Sequence, residues 1–207
     1  MLTLVIGDKQ LSSWSLRPWI LLRHLDLPFR EVPLKLDTPA FGPAVRRYSA
    51  AGRVPVLVDG DLPVWDSLAI IEYVHEKSGG RAWPADATRR AHARSISAEM
   101  HSGFSALRGH WPMKAASTLD VPMPPAGQQD VARIDELWQD CRARYAGTGP
   151  WLFGDYSAAD AMYAPVVLRF HTYGAKLSDA AAAYVRHVLA DAPLREWIAG
   201  ARAELGQ

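Results

Sequence analysis

The chain has 207 residues, of which 49% are hydrophobic and 22% charged, a balance close to that of an ordinary globular protein and enough for one average domain or two small ones. Twenty-three Lys and Arg against twenty-two Asp and Glu give a net charge of +1, which excludes binding of a nucleic-acid backbone through a basic excess. One cysteine, Cys141, excludes an internal disulfide framework and a cysteine-rich zinc site. No apolar run reaches the roughly 18 residues of a membrane span, and MLTLVIGDKQ lacks the basic start and cleavage site of a signal peptide. The expectation is a cytoplasmic protein with no metal, no membrane partner and no nucleic-acid partner.

The first eighty residues mix strand-like and helix-like runs. Leu2 to Ile6 is a compact apolar run of strand length ending at Gly7-Asp8. From Trp14 to about Leu25 the spacing is helical, with Leu16, Trp19, Ile20 and Arg23 on one stripe. Glu31 to Leu36 reads as a second strand, and Pro33 confines it to an edge or an end. Val54 to Val58 is a third, Asp59-Gly60 a hairpin turn, and Leu62 to Trp65 the return strand. Ser67 to Lys77 is an amphipathic helix stopped by Ser78-Gly79-Gly80. The order β-α-β-(loop or short helix)-β-β-α predicts a mixed sheet with helices on its faces.

Residues 81–86 read as a linker, and beyond them no strand is expected. Thr88 to about His110 predicts one long helix, Pro112 to Pro125 a loop, and Gln128 to Tyr145 a helix broken by Gly147-Thr148-Gly149-Pro150. Ser157 to Tyr173 is helical with Pro165 bending it. Helices over Asp179 to Leu189 and Leu194 to Leu205 complete the chain. The domain division that follows is 1–80, a linker at 81–86, and 87–207.

Three short segments carry chemistry. Ser12 and Ser13 fall in the turn before the first helix, because Pro18 cannot donate an N–H and limits how early that helix begins. Hydroxyls beside a helix N-terminus favour an anion, although the same serines would also serve as plain N-caps. Arg53-Val54-Pro55 opens a strand with an X–Pro bond that is a candidate for the cis form. Asp66-Ser67 heads a helix, where the hydroxyl suits a carboxylate and the carboxylate an ammonium, with helix capping as the alternative role.

Taken in order, Ser12-Ser13-Trp14-Ser15-Leu16-Arg17, Arg53-Val54-Pro55-Val56-Leu57 and Asp66-Ser67-Leu68-Ala69-Ile70-Ile71-Glu72-Tyr73 resemble the glutathione transferase superfamily. The likeness is greatest to its zeta class, which includes maleylacetoacetate isomerases. Gly154-Asp155-Tyr156-Ser157-Ala158-Ala159-Asp160 resembles the family's capping box in the second domain, with the Asp160 carboxylate reaching back to the Ser157 N–H.

The resemblance implies an α/β thioredoxin-like N-terminal domain, an all-α C-terminal domain, glutathione as cosubstrate or cofactor, a hydrophobic electrophile as second substrate, and a homodimer. It places the γ-glutamyl end of glutathione on Asp66 and Ser67, the cysteinyl main chain against Val54 before Pro55, and the glycyl carboxylate near Arg53. Ser12 matches the serine that donates to the sulfur, with Ser13 as the neighbouring candidate. Trp14 stands where the zeta motif usually has Cys, so it lines or narrows the electrophile pocket, and isomerase activity does not follow automatically. The absence of cysteine from residues 1–80 argues against the cysteine-type branches.

The leading expectation is transfer of a serine-stabilised glutathione thiolate to an electrophile. Alternatives are glutathione-dependent cis–trans isomerisation of a maleyl-type dicarboxylate and a non-catalytic scaffold of the same fold. Cys141 and the stripe Met100, Phe104, Leu107 and Trp111 are read as packing, with part of that stripe able to face an electrophile. The histidines, His101 among them, show no ligand spacing and are read as surface or packing residues. Arg108 could steer an anionic substrate or be solvated.

Overall fold

The computed structural model describes residues 1–145, 147 and 149–206. Thr148, part of the expected breaker, lies outside them. Four strands form one sheet in the order β2-β1-β3-β4: β1 is Leu2–Ile6, β2 Phe29–Pro33, β3 Val56–Asp59 and β4 Leu62–Trp65. β1 pairs parallel with β2, with Leu4 opposite Glu31, and antiparallel with β3, with Leu4 opposite Leu57. Leu4, Val5 and Ile6 are fully buried, as a central strand covered on both faces requires. β2 is an edge and ends on Pro33, where a missing N–H costs no ladder bond. It begins two residues before the expected position, at Phe29.

Helix α1, Ser13–His24, follows β1 and packs against α3, Ser67–Lys77. It starts one residue earlier than expected, and Pro18 within it leaves the Trp14 carbonyl without its intrahelical donor. A short helix α2, Phe41–Arg46, fills the stretch before β3, and the Val54–Pro55 bond ahead of that strand is cis. Residues 81–86 are neither helix nor strand, yet Ala82 and Trp83 are buried, and the Ala82 carbonyl accepts from the Ala158 N–H at 2.7 Å.

Beyond residue 86 the regular elements among the described residues are helices joined by loops, with two isolated bridges, Trp151 with Gly154 and Phe153 with Asp155. The helices are α4 (Ala87–Ser102), α5 (Ser105–His110), α6 (Pro125–Tyr145), α7 (Ala158–Tyr173), α8 (Asp179–Leu189) and α9 (Ala192–Glu204). The single helix expected over Thr88–His110 is therefore two. Gly103 leaves the helix and Phe104 turns left-handed at φ 57°. A Cβ on Gly103 would come 2.8 Å from the Glu99 carbonyl oxygen. Burial of the Phe104 ring offsets the roughly 1–2 kcal/mol that left-handed backbone costs a side-chain-bearing residue. Helix α6 begins at Pro125, three residues before the expected start, because a proline loses nothing in a first turn.

Helix α7 is buried along nearly its whole length and packs on both α1 and α4. Its N-terminus is held by Asp160, which accepts from the N–H groups of Leu152 at 3.0 Å and Ser157 at 2.9 Å, and from the hydroxyls of Ser157 and Tyr184. Met100, Phe104, Leu107, Trp111 and Cys141 all belong to the core. Burial pushes the Cys141 thiol up to about 12, so it is inert as a nucleophile. Among the described residues no helix is long and apolar enough to cross a membrane.

Candidate functional site

A cavity of about 620 Å³ opens where α1, the Val54–Pro55 segment, the head of α3 and helix α4 converge. Trp14, Ala51, Arg53, Val54, Pro55, Trp65, Asp66, Ser67 and His101 line it. The fold thus brings Trp14, Arg53, Val54, Pro55, Asp66 and Ser67 together from three separate stretches of sequence. Ser12 and Ser13 are not in the lining. They lie at the start of α1, mostly buried.

The head of α3 is built by Asp66. Its backbone sits at φ 75°, ψ 134°, a region that costs a non-glycine residue of order 1–3 kcal/mol. Part of that is recovered locally, since Oδ1 accepts from the Leu68 N–H at 2.8 Å. Asp66 therefore caps the helix and lines the cavity at once. Its other oxygen, Oδ2, lies 3.3 Å from His101 Nε2. Beside it Ser67 is 1% exposed and accepts from Arg17 Nη1 at 3.5 Å.

The two serines of α1 differ in what holds them. The Ser12 hydroxyl donates to Ser15 Oγ at 2.7 Å, and Ser15 Oγ also accepts from the Gly7 N–H at 3.1 Å. Ser13 Oγ instead accepts from Arg169 Nη2 at 3.3 Å, a bond that leaves its own proton uncommitted. The turn ahead of them is clamped by the last helix: Glu204 accepts from the N–H groups of Lys9 and Gln10, and Trp197 Nε1 donates to the Lys9 carbonyl.

Trp14 is the hub of the charged groups. The Arg17 guanidinium lies 4.1 Å from its ring centroid and the Arg108 guanidinium 5.3 Å, while the His101 ring meets it edge-on at 5.2 Å. Arg17 is 1% exposed, and its Nε has no partner. Burial, with Arg169 and Arg108 adding repulsion, pulls the Arg17 guanidinium down to about 9, so it is still a cation near neutral pH. Burial likewise holds the His101 imidazole below its ordinary value, opposed by Asp66. Among the described residues no group of three or more His, Cys, Asp or Glu could hold a metal ion.

His101, Arg17 and Arg169 were not singled out as site residues by the sequence. A signal existed for the two arginines. Arg17 sits in an apolar stripe, and Arg169 is the only Lys or Arg in α7. Nothing in the sequence marked His101, whose position depends on how α4 and α1 both pack on α7.

Residues 11–77 match the model of the glutathione S-transferase N-terminal domain. The chain is 29% identical over 194 residues to glutathione S-transferase GST-4.5 of Xanthomonas campestris, covering 89% of this chain and 92% of that protein. It is 32% identical over 96 residues to a probable maleylacetoacetate isomerase of Caenorhabditis elegans, 46% of this chain and 44% of that one. Its match to a dichloromethane dehalogenase of Methylorubrum extorquens, 41% identical over 59 residues, spans 28% of this chain and only 20% of that protein. In fold it resembles a glutathione transferase homologue from Burkholderia solved with bound glutathione, at a TM-score of 0.73 and 23% identity over 98% of both chains. Residues 11–77 thus carry a glutathione S-transferase N-terminal domain, and the chain as a whole shares the fold of solved glutathione transferases.

Proposed function

We propose that the chain binds glutathione in this cavity and transfers its thiolate to a hydrophobic electrophile. The observation that carries the reading is the convergence of Arg53, Val54, Asp66 and Ser67 on one cavity, whose volume falls within the usual ligand range of about 300–1,000 Å³. The Ser67 hydroxyl takes the γ-glutamyl carboxylate and Asp66 the ammonium. The Val54 main chain pairs with the cysteinyl part as an added strand, and Arg53 meets the glycyl carboxylate. The sulfur then lies toward the N-terminus of α1, where the hydroxyl of Ser12 or Ser13 and the helix dipole favour its anion. A free thiol is only a few per cent ionised near pH 7, and each unit of depression corresponds to about 1.4 kcal/mol of stabilisation. The serine is a hydrogen-bond donor in this scheme, neither a base nor a covalent nucleophile.

A second reading is glutathione-dependent cis–trans isomerisation of a maleyl-type dicarboxylate. It is favoured by Arg108, which rests over Trp14 and makes no ion pair among the described residues. The homodimer belongs to the same proposal and draws support from Leu62 and Trp65, which stay half exposed on edge strand β4. Parallel assays with a halo-aromatic electrophile and with maleylacetoacetate separate the readings. Conjugation is expected to dominate; rapid isomerisation with negligible conjugation would install the second reading, and calorimetry without any uptake of glutathione would reject both.

A further inference from the structure

Three guanidinium groups surround the first turn of α1, and none has a carboxylate partner among the described residues. Arg169 is 4% exposed and donates only to neutral oxygens: the Trp111 carbonyl at 2.8 Å from Nε, the Pro165 carbonyl at 3.4 Å from Nη1 and Ser13 Oγ at 3.3 Å from Nη2. Arg17, among the described residues, hydrogen-bonds only to Ser67 Oγ at 3.5 Å and otherwise rests on the Trp14 ring. Arg108 donates to the His101 carbonyl at 3.2 Å. Arg17 and Arg169 are buried cations, which is costly without a counter-charge, and the three groups of one sign repel one another. An anion bound among them would offset that cost.

The hydrogen bonds say where that anion meets the chain. The Ser12 proton is spent on Ser15, whereas Ser13 accepts from a cation and keeps its proton free to donate. A hydroxyl that accepts from a guanidinium is a stronger donor through its own O–H, because hydrogen bonds in a chain polarise one another. We infer that Arg169, reaching across from α7, is a positioning residue that acts through Ser13 to stabilise the glutathione thiolate, and that Ser13 rather than Ser12 is the hydroxyl donating to sulfur. The inference rests on the glutathione reading above. In the step it assists, the S–H bond of glutathione breaks, the electron pair stays on sulfur and the proton passes to solvent water.

The other charged or titratable groups around Arg169 and the first turn of α1 are Arg17 on α1, Arg108 on α5 with Asp130 of α6 near it, Tyr163 and Tyr173 on α7, and, across Trp14, Asp66 and His101. Three guanidinium groups against the two carboxylates Asp66 and Asp130 leave a positive balance, so their joint field favours a thiolate. Burial, with Arg108 adding repulsion, pulls Arg169 down to about 10, which leaves it charged throughout the range in which the thiol would titrate.

The test is the ultraviolet thiolate absorbance of bound glutathione, titrated against pH in the wild type, Arg169→Met, Arg169→Lys, Ser13→Ala and Ser12→Ala. Arg169→Met is expected to raise the midpoint by about one to two pH units, the usual effect of removing one close opposite charge. The KM for glutathione should stay within about twofold, because the loss falls on ionisation rather than on binding. Arg169→Lys should recover most of the shift, and Ser13→Ala should move the midpoint more than Ser12→Ala does. The double variant of Ser13 and Arg169 should add little to either single one, as residues acting in series do. A midpoint in Arg169→Met equal to that of the wild type overturns the inference. If that variant does not fold, an unmoved midpoint in Ser13→Ala overturns it equally. Failure of the wild type to take up glutathione at all would instead overturn the reading beneath it.

Discussion

Helix α7 carries a buried charge near each end, and the two are treated in opposite ways. Asp160, in the first turn, receives four hydrogen bonds and has nothing left to offer a ligand. Arg169, near the other end, meets only neutral oxygens among the described residues and shares its surroundings with two further guanidinium groups that make no ion pair there. A buried charge whose bonds are all made within the chain is part of the fold. A buried charge left without its counter-charge points to something the chain must bind. The contrast separates the capping network of the helical half from the site at its border with the sheet.

The largest effect should come from the satisfied end. Asp160→Ala strands the Leu152 and Ser157 N–H groups and the Tyr184 hydroxyl in the interior, at about 1–3 kcal/mol for each unsatisfied group. Chemical denaturation should show a loss of at least about 3 kcal/mol, or no folded protein at all. Retention of near wild-type stability would mean that the carboxylate is no such keystone. The same group gives a pH signature. Burial outweighs its donors and pushes the Asp160 carboxyl from 3.8 up to about 6. A raised acid contributes stability that is complete below 3.8 and is lost as pH rises through about 6. Asp160→Asn, which cannot titrate, should lack that slope.

The unpaired end should behave in the reverse sense. Replacing Arg17 by Met removes a cation that has no carboxylate partner, so the melting temperature should hold or rise. The affinity for glutathione should fall about tenfold or more, because the carboxylate on Ser67 loses its nearest positive charge. Thermal melting paired with calorimetry checks both signs. A variant that melts much earlier yet binds as before would erase the distinction between the two ends of the comparison.

The smallest effect concerns His101. Its imidazole is held below its ordinary value by burial and is therefore neutral at pH 7, which leaves Asp66 free for a ligand ammonium. As pH falls through that lowered value, the imidazolium competes for Asp66 across 3.3 Å. Glutathione binding should weaken toward pH 5 by no more than about fivefold, the scale of a partly exposed ion pair. In His101→Gln this acidic limb should flatten. An identical pH profile in both proteins would remove His101 from the site.

Much of this was legible where the cause is local. Helix α3 runs from Ser67 to Lys77 and helix α8 from Asp179 to Leu189, as spacing and stop signals indicate. The Asp160 to Ser157 contact follows from the order of a few residues. The break between α4 and α5 was hidden, because apolar spacing continues through it and only the Gly103 approach to Glu99 shows why the helix ends. The six lining residues named from sequence lie in three segments that the sheet and α3 must assemble. Their chemistry was readable, but their neighbours were not. His101 comes from a polar helix with no motif. The division between a committed Ser12 and a free Ser13 depends on Arg169, more than 150 positions away along the chain.

The most direct test is a crystal structure of the protein with glutathione bound. The γ-glutamyl carboxylate is expected on Ser67, the cysteinyl main chain alongside Val54, and the sulfur within hydrogen-bond reach of the Ser13 hydroxyl. A tripeptide seated elsewhere, or a sulfur that faces solvent away from the start of α1, would contradict that placement.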